Sequence, residues 1–111
     1  MTVECIHQGS AEVVRLSGRM NEEVALQFEK ACQGGLETGI GHLIVDIAEL
    51  EYLSSVGLRS FARVANSCRG TDKTVALCGM KGMVKEVFEL AHMGGLFQTF
   101  DSVDAALASL G

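Results

Sequence analysis

The chain contains no proline among its 111 residues, so it has no proline-rich linker. Its turns must depend on the 13 glycines together with asparagine, aspartate and serine. Internal repeats and low-complexity tracts are absent as well. A length of 111 residues fits one domain, and a hydrophobic fraction of 48% is enough to fill its core. We therefore expect residues 1–111 to form a single domain.

Long apolar runs and clusters of basic residues are also missing. No segment approaches the roughly 18 to 20 consecutive apolar residues that span a bilayer, and residues 1–5 lack the basic and apolar blocks of a secretion signal. We expect a cytoplasmic protein with no membrane insertion. The nine basic residues are spread along a chain of formal charge −5. Because they form no positive stripe, nucleic acid is not an expected partner.

The cysteines and histidines form no recognisable site. The four cysteines include no CxxC pair, and the spacing of the three histidines matches no helical metal pair. The sequence therefore predicts free, buried cysteines and surface or strand-end histidines, rather than a zinc site or a disulfide framework. The residues concerned are Cys5, Cys32, Cys68, Cys78, His7, His42 and His92.

Short apolar runs alternate with helical periods along the chain. This alternation predicts an α/β fold in which helices cover a mixed, mainly parallel β-sheet, in the order ββαβαβαβα with an antiparallel opening hairpin and the third strand in the centre. The predicted strands are Val3–His7, Val13–Leu16, His42–Ile47, Thr74–Cys78 and Leu96–Phe100. The first predicted helix covers residues 22 to about 33 and is ended by Gly34-Gly35. The other three run from the serines before Leu58 to Cys68, from Val84 to Ala91, and from Val103 to Leu110.

The segment Ser54-Ser55-Val56-Gly57-Leu58 places small hydroxyl residues where a buried strand gives way to a helix. A helix N-terminus presents unpaired N–H groups and a partial positive charge, so it favours a hydroxyl cap or an added phosphate. Ser55 is therefore a candidate regulatory phosphoacceptor, and the alternative is that Ser54 or Ser55 only caps the helix. Gly57 fits either the close approach of another backbone or a tight fit between helix and loop.

Three patterns that could carry enzymatic chemistry are incomplete. Residues 53–57 lack the G-x-S-x-G elbow and an adjacent base that a nucleophilic serine needs. Residues 79–82 lack the length and the hydroxyl of a phosphate-binding loop. Turn-forming or solvated roles are commoner than acid–base or metal chemistry for the acidic group Asp46, Glu49 and Glu51. We therefore expect no enzymatic activity, cofactor or metal.

The stretch from residue 45 to residue 58 resembles the signature of the STAS domain. In that signature an aspartate and a hydrophobic residue, here Asp46 and Ile47, are followed after about six residues by D/S-S-x-G-L, here Ser54 to Leu58. Residues 16–21 are similar to the family's G-x-hydrophobic-D/N turn, and residues 93–97 to its link into the last strand. With the element order, the resemblance covers nearly the whole chain and is closest to the small bacterial anti-sigma factor antagonists.

This resemblance implies a partner-switching regulator. In its unphosphorylated form such a protein binds an ATP-dependent serine kinase that also serves as an anti-sigma factor, and this binding releases the kinase's other client. The family's phosphorylated serine lies two positions before the glycine and maps to Ser55. A PP2C-type phosphatase would restore the unmodified form.

The partner-binding surface that the resemblance implies lies around the two helix starts. Its expected members are Met20, Asn21, Glu22, Ser54, Ser55, Val56, Gly57, Arg59 and Ser60. Asn21 and Ser54 stand where many family members carry aspartate, so this chain has less negative charge near the site.

Two alternatives from other functional classes remain open. The chain could be a STAS accessory subunit of a membrane lipid-transport or transporter complex, in which the serine pair is a docking cap that is never phosphorylated. It could also be a scaffold subunit of a stress-sensing assembly. A neighbouring kinase or phosphatase gene would favour the antagonist, and a permease operon would favour the membrane complex.

Overall fold

The structure, a computed structural model, describes residues 2–37 and 41–110. It confirms the predicted α/β fold and the order ββαβαβαβα, with one additional 3-10 turn at Gly94–Leu96. The strands are β1 (Thr2–Gln8), β2 (Ala11–Met20), β3 (His42–Leu53), β4 (Thr74–Cys78) and β5 (Gln98–Phe100). The helices are α1 (Glu22–Glu37), α2 (Ser55–Cys68), α3 (Gly82–Leu90) and α4 (Val103–Leu110).

The five strands form one sheet in the order β1-β2-β3-β4-β5. The opening pair, β1 and β2, is antiparallel, and every other neighbouring pair is parallel. The predicted mixed sheet with a central third strand is therefore confirmed. Because β2, β3 and β4 are parallel, their carboxyl ends lie at one edge of the sheet, which we call the carboxyl edge, and α1, α2 and α3 all begin there.

The core has two layers, one on each face of the sheet. Helices α1, α2 and α3 cover one face, where the ring of Phe61 lies 4.7 Å from that of Phe28, 5.2 Å from Phe88 and 6.3 Å from Phe97. Helix α4 packs its buried Ala106 on the other face. Aromatic pairs at such distances add about 0.5–1.5 kcal/mol each beyond their burial, so the Phe61 cluster holds α2 firmly on the sheet.

Strand β3 is longer than predicted, and so is β2. The predicted β3 ended at Ile47, but the strand continues to Leu53 and pairs with β2 as far as Met20. The register shifts twice along this pairing, each time giving β3 one residue more than β2. These bulges keep Leu50 and Leu53 in the core although they follow Ile47 at steps of three rather than two. The prediction ended the strand too early because it was based on the apolar run His42–Ile47, whereas pairing with β2 and the two bulges extend the strand to Leu53.

Helix α1 does not end at Gly34-Gly35, as the sequence predicted, but continues to Glu37. Neither glycine has the positive φ of a helix-ending residue. Gly35 is buried against β2, where a Cβ would lie 3.0 Å from Cγ of Glu12. The glycine therefore allows close packing of the helix on the strand rather than ending the helix.

The last elements also differ from the prediction at their ends. The fifth strand begins at Gln98 rather than Leu96, because the preceding residues form the 3-10 turn. Ser102 caps α4, accepting a hydrogen bond from the N–H of Ala105 at 3.1 Å. No helix in the described ranges has both the length and the apolar character needed to cross a membrane.

The four cysteines are free, but they are not all buried as predicted. Cys32, Cys68 and Cys78 are buried, whereas Cys5 is exposed on the edge strand β1. Burial raises the pKa of the Cys78 thiol to about 11, and it also raises the pKa of the Cys32 thiol. Because the thiolate is the reactive form, the buried cysteines should be chemically inert in the folded protein.

We therefore expect one thiol of the folded protein to react with Ellman's reagent at pH 8.5 and three more to react after unfolding in guanidinium. The reason is that only Cys5 is accessible among the four. Cys5→Ser should abolish the reaction of the folded protein and leave the three late thiols unchanged. A second thiol reacting as fast as Cys5 before unfolding would contradict this assignment.

Candidate functional site

Two helices start side by side at the carboxyl edge. The parallel pairing of β2 with β3 places Met20 opposite Leu53, and each of these residues is followed by a helix cap. At the start of α1, Oδ1 of Asn21 accepts the N–H of Val24 at 3.0 Å. At the start of α2, Oγ of Ser54 accepts the N–H of Gly57 at 3.1 Å. The edge therefore presents two capped helix N-termini, each with a partial positive charge.

Ser54 is the N-cap of α2, so the cap belongs to Ser54 and not to Ser55. Its backbone is extended, with φ −81° and ψ 169°, as an N-cap requires. Its hydroxyl also donates to the carbonyl oxygen of Met20 at 3.0 Å. The half-buried Ser54 side chain is thus bonded to α2 on one side and to β2 on the other, and it fixes the turn between strand and helix.

Ser55 is the first residue of α2 and is exposed. Within residues 2–37 and 41–110, its hydroxyl has no hydrogen-bond partner. No base lies near enough in that part of the chain to accept its proton, so Ser55 is not an activated nucleophile. Chemically, it is an accessible hydroxyl at the positive end of a helix.

Gly57 is required by packing inside the protein. It is buried, and a Cβ at this position would lie 2.8 Å from Cδ1 of Leu53 and 3.0 Å from Cγ of Met20. Of the two interpretations of this glycine, the structure supports the tight internal fit. The side chains at the ends of β2 and β3 press against the first turn of α2, so α2 can approach the sheet only without a side chain at position 57.

The structure separates the expected partner-binding residues into two groups. Met20, Gly57 and Ser60 are buried, and the Ser60 hydroxyl donates to Oε2 of Glu29 at 2.6 Å. These three support the edge from inside, and the structure leaves none of them accessible at its surface. Accessible at the surface are the exposed Asn21, Glu22, Ser55 and Arg59 and the half-buried Ser54 and Val56.

The sequence analysis missed one pair at this edge. The guanidinium of Arg19 lies over the ring of Tyr52, 4.3 Å from its centroid, and the two residues are partners in the pairing of β2 with β3. A stacked contact of this kind is worth roughly 0.5–1 kcal/mol at an exposed site. The pair was missed because both residues were assigned to segments outside the strands.

The acidic residues near the serines do not form an acid–base pair. Asp46 accepts hydrogen bonds from Nε of Arg15 at 3.0 Å and from the N–H of Ala48 at 3.1 Å. Its carboxylate is therefore engaged in an ion pair and a local turn. Glu49 and Glu51 are exposed, in agreement with the solvated role predicted for them.

Comparison with known proteins identifies the family. The sequence model of the STAS domain matches residues 2–106. This chain belongs to the STAS domain family. A protein of Bordetella bronchiseptica with the provisional name anti-sigma factor antagonist BtrV is 33% identical over 94 residues, which cover 85% of this chain and 81% of BtrV.

Solved structures share the STAS fold described above. An anti-sigma factor antagonist from Mycobacterium paratuberculosis superposes with a TM-score of 0.86 at 21% identity, covering 97% of this chain and 92% of that one. The anti-sigma factor antagonist SpoIIAA in its unphosphorylated form gives a TM-score of 0.77 at 12% identity, covering 98% and 96%. SpoIIAA of Bacillus in its phosphorylated form superposes with a TM-score of 0.79 at 12% identity, and the match covers 99% of this chain and 100% of SpoIIAA. At these identities the similarity shows the fold.

Proposed function

We propose that this STAS protein is an anti-sigma factor antagonist that works by partner switching. While Ser55 is unmodified, the carboxyl edge binds an ATP-dependent serine kinase that also acts as an anti-sigma factor. Phosphorylation of Ser55 releases the protein, and a PP2C-type phosphatase restores binding, with all three proteins in the cytoplasm. The observation that carries the proposal is the exposed hydroxyl of Ser55 at the start of α2, which has no hydrogen-bond partner among the residues that the structure describes.

The different surroundings of the two serines support Ser55 as the phosphoacceptor. The Ser54 hydroxyl is half-buried and engaged in two hydrogen bonds, to Met20 and to Gly57. Phosphorylating it would remove the proton that Ser54 donates to Met20 and push a dianion between α2 and β2. A kinase can reach the Ser55 hydroxyl without disturbing any hydrogen bond of the fold.

A phosphate on Ser55 would remove the partner without unfolding the protein. It adds roughly 1.5 to 2 negative charges and three acceptor oxygens, which a helix N-terminus accommodates. A partner packed closely on the same edge would have to desolvate that charge, at a cost of several kcal/mol. In this mechanism the protein is the substrate of the kinase and the phosphatase and has no catalytic role of its own.

We expect incubation with ATP and the serine kinase copurified from the native host to label Ser55 alone. The measurement is mass spectrometry of the digested protein, and Ser55→Ala should remove the label. Ser54 is expected to stay unmodified because its hydroxyl is engaged in the cap. Label on Ser54 or Ser102 would refute the assignment. A membrane-complex subunit or a stress-sensing scaffold would copurify with its own assembly and remain unlabelled.

A further inference from the structure

Helix α2 carries a cation one turn beyond Ser55. Ser55 and Arg59 are both exposed and are four positions apart in α2. Residues at this spacing are neighbours on a helix surface, with Cβ atoms roughly 5–6 Å apart. Long side chains in helices extend back toward the N-terminus, so the surface that Arg59 can cover is the turn that begins with Ser55.

Arg59 is not engaged elsewhere in the described part of the chain. The guanidinium of Arg63 has Glu29 as its partner at 3.3 Å, and that of Arg15 has Asp46 at 3.0 Å. No carboxylate in residues 2–37 or 41–110 lies within ion-pair distance of Arg59. Its donors are therefore available to a new anion on the same helix.

We propose that Arg59 is the internal counter-ion of phosphorylated Ser55. The inference rests on the proposed function only in that Ser55 carries the phosphate. An acid placed four residues before a base is the more favourable order on a helix. The planar guanidinium can donate two parallel N–H bonds to phosphate oxygens, which makes the pair stronger and more specific than one with a point charge.

This pairing changes the docking surface in two ways at once. Phosphorylation adds negative charge at Ser55, and it also withdraws the positive charge of Arg59 from the partner. A partner whose acidic group pairs with Arg59 in the unmodified protein loses that contact and meets a phosphate. The partner thus meets two changes, the loss of a free cation at position 59 and a phosphate whose charge Arg59 partly balances.

Carboxylates at the carboxyl edge act against the pair, whereas the exposed Arg19 at the same edge acts in the same direction as Arg59. Glu22 and Glu23 occupy the first turn of α1, which begins beside α2, and Glu51 is exposed near the end of β3. These carboxylates disfavour the dianionic phosphate and raise its second pKa. Because Arg59 acts in the opposite direction, the second pKa of the phosphate measures whether the pair forms.

The experiment uses the full chain with phosphoserine encoded at position 55 by stop-codon suppression, so that no kinase is needed. The phosphate is titrated by phosphorus NMR in the otherwise wild-type protein and in Arg59→Gln, Arg59→Lys and Arg69→Gln. Removing Arg59 should raise the second pKa of the phosphate by roughly 0.3, as expected for one i,i+4 pair. The phosphate pKa of Arg59→Lys should lie between the values for the wild type and Arg59→Gln, because an ammonium keeps the charge but not the paired donors.

Arg69→Gln is the matched control. It removes the same charge from the other end of α2, where Arg69 is the exposed C-cap. Position 69 is about 21 Å along the helix from position 55, beyond the screening length of roughly 8 Å at physiological salt, so the phosphate pKa should not change. Circular dichroism should show that all variants are folded.

Superimposable titration curves for the wild type and Arg59→Gln would overturn the proposal. So would an equal pKa change in Arg59→Gln and Arg69→Gln, because it would reveal a general charge effect instead of a pair. Failure of a kinase to label Ser55 would refute the proposed function, but it would leave this result intact because the phosphate is encoded.

Discussion

Ser55→Asp is expected to weaken binding to the copurified kinase at least about tenfold, and full phosphorylation to weaken it by on the order of 150-fold, corresponding to roughly 3 kcal/mol. The aspartate has a smaller effect because it carries one charge where the phosphate carries nearly two. Ser55→Ala should bind as the unmodified protein does, since it removes only a hydroxyl without a partner in the described chain.

The measurement is titration calorimetry with the kinase, accompanied by far-ultraviolet circular dichroism. Ser102→Asp is a suitable control, because Ser102 is an exposed cap of α4, and aspartate also caps helices well. It adds the same charge at the start of the helix that covers the other face of the sheet. Equal affinities for Ser55→Asp and the wild type would contradict the proposed switch.

A change of this size is sufficient for a regulator. A ligand shifts an equilibrium only as far as its affinities for the two states differ, and a factor of 150 moves most of a sequestering protein from one client to another. Because Ser55 lies outside the core, the charge acts on the interface and leaves the free energy of unfolding nearly unchanged. The unchanged circular dichroism spectrum of Ser55→Asp tests this separation.

Gly57→Val is expected to lower the free energy of unfolding by about 2 kcal/mol, the middle of the range for overpacking a core site. The new Cβ would lie 2.8 Å from Cδ1 of Leu53 and 3.0 Å from Cγ of Met20, and the two methyl groups need further space. Either these side chains leave their rotamers or the first turn of α2 moves away from the sheet. For a domain of this size the thermal midpoint should fall by roughly 8 °C, measured by calorimetry.

Gly34→Val provides the matched control because Gly34 is also a glycine within a helix. It is exposed in α1, and a Cβ there would meet no atom within 4 Å beyond the helix's own neighbouring backbone. Valine has a slightly better helix propensity than glycine, so the free energy of unfolding should stay constant or rise by a few tenths of a kcal/mol. Equal losses in the two variants would show that packing at Gly57 is not responsible.

The order of the elements, the antiparallel opening hairpin and the central place of the third strand could be predicted because they follow from local sequence patterns. The continuous run Leu43-Ile44-Val45 is buried on both faces in the centre of the sheet, as its lack of alternation predicted. The serine segment could likewise be placed at a helix start, since hydroxyl residues at such a position satisfy free N–H groups. These features depend on residues that are close in sequence, so they can be predicted without knowing the fold.

The ends of the elements could not be predicted, because contacts between distant residues decide them. Gly35 continues α1 instead of ending it, since Glu12 of β2 lies against it. The bulges of β3 arise where it pairs with β2. They bring Leu50 and Leu53 into the core at intervals of three residues, whereas a regular strand repeats every two. Both corrections are tertiary effects that override a local preference.

The roles of the two serines show the same division. The sequence by itself determined that small hydroxyl residues stand at the beginning of α2, but it left open whether Ser54 or Ser55 caps the helix. Only the structure assigned the cap to Ser54, whose hydroxyl accepts the N–H of Gly57 and also donates to Met20, 34 positions earlier in the chain. The carbonyl of Met20 reaches Ser54 only when β2 lies beside β3, and this arrangement leaves the Ser55 hydroxyl open to solvent.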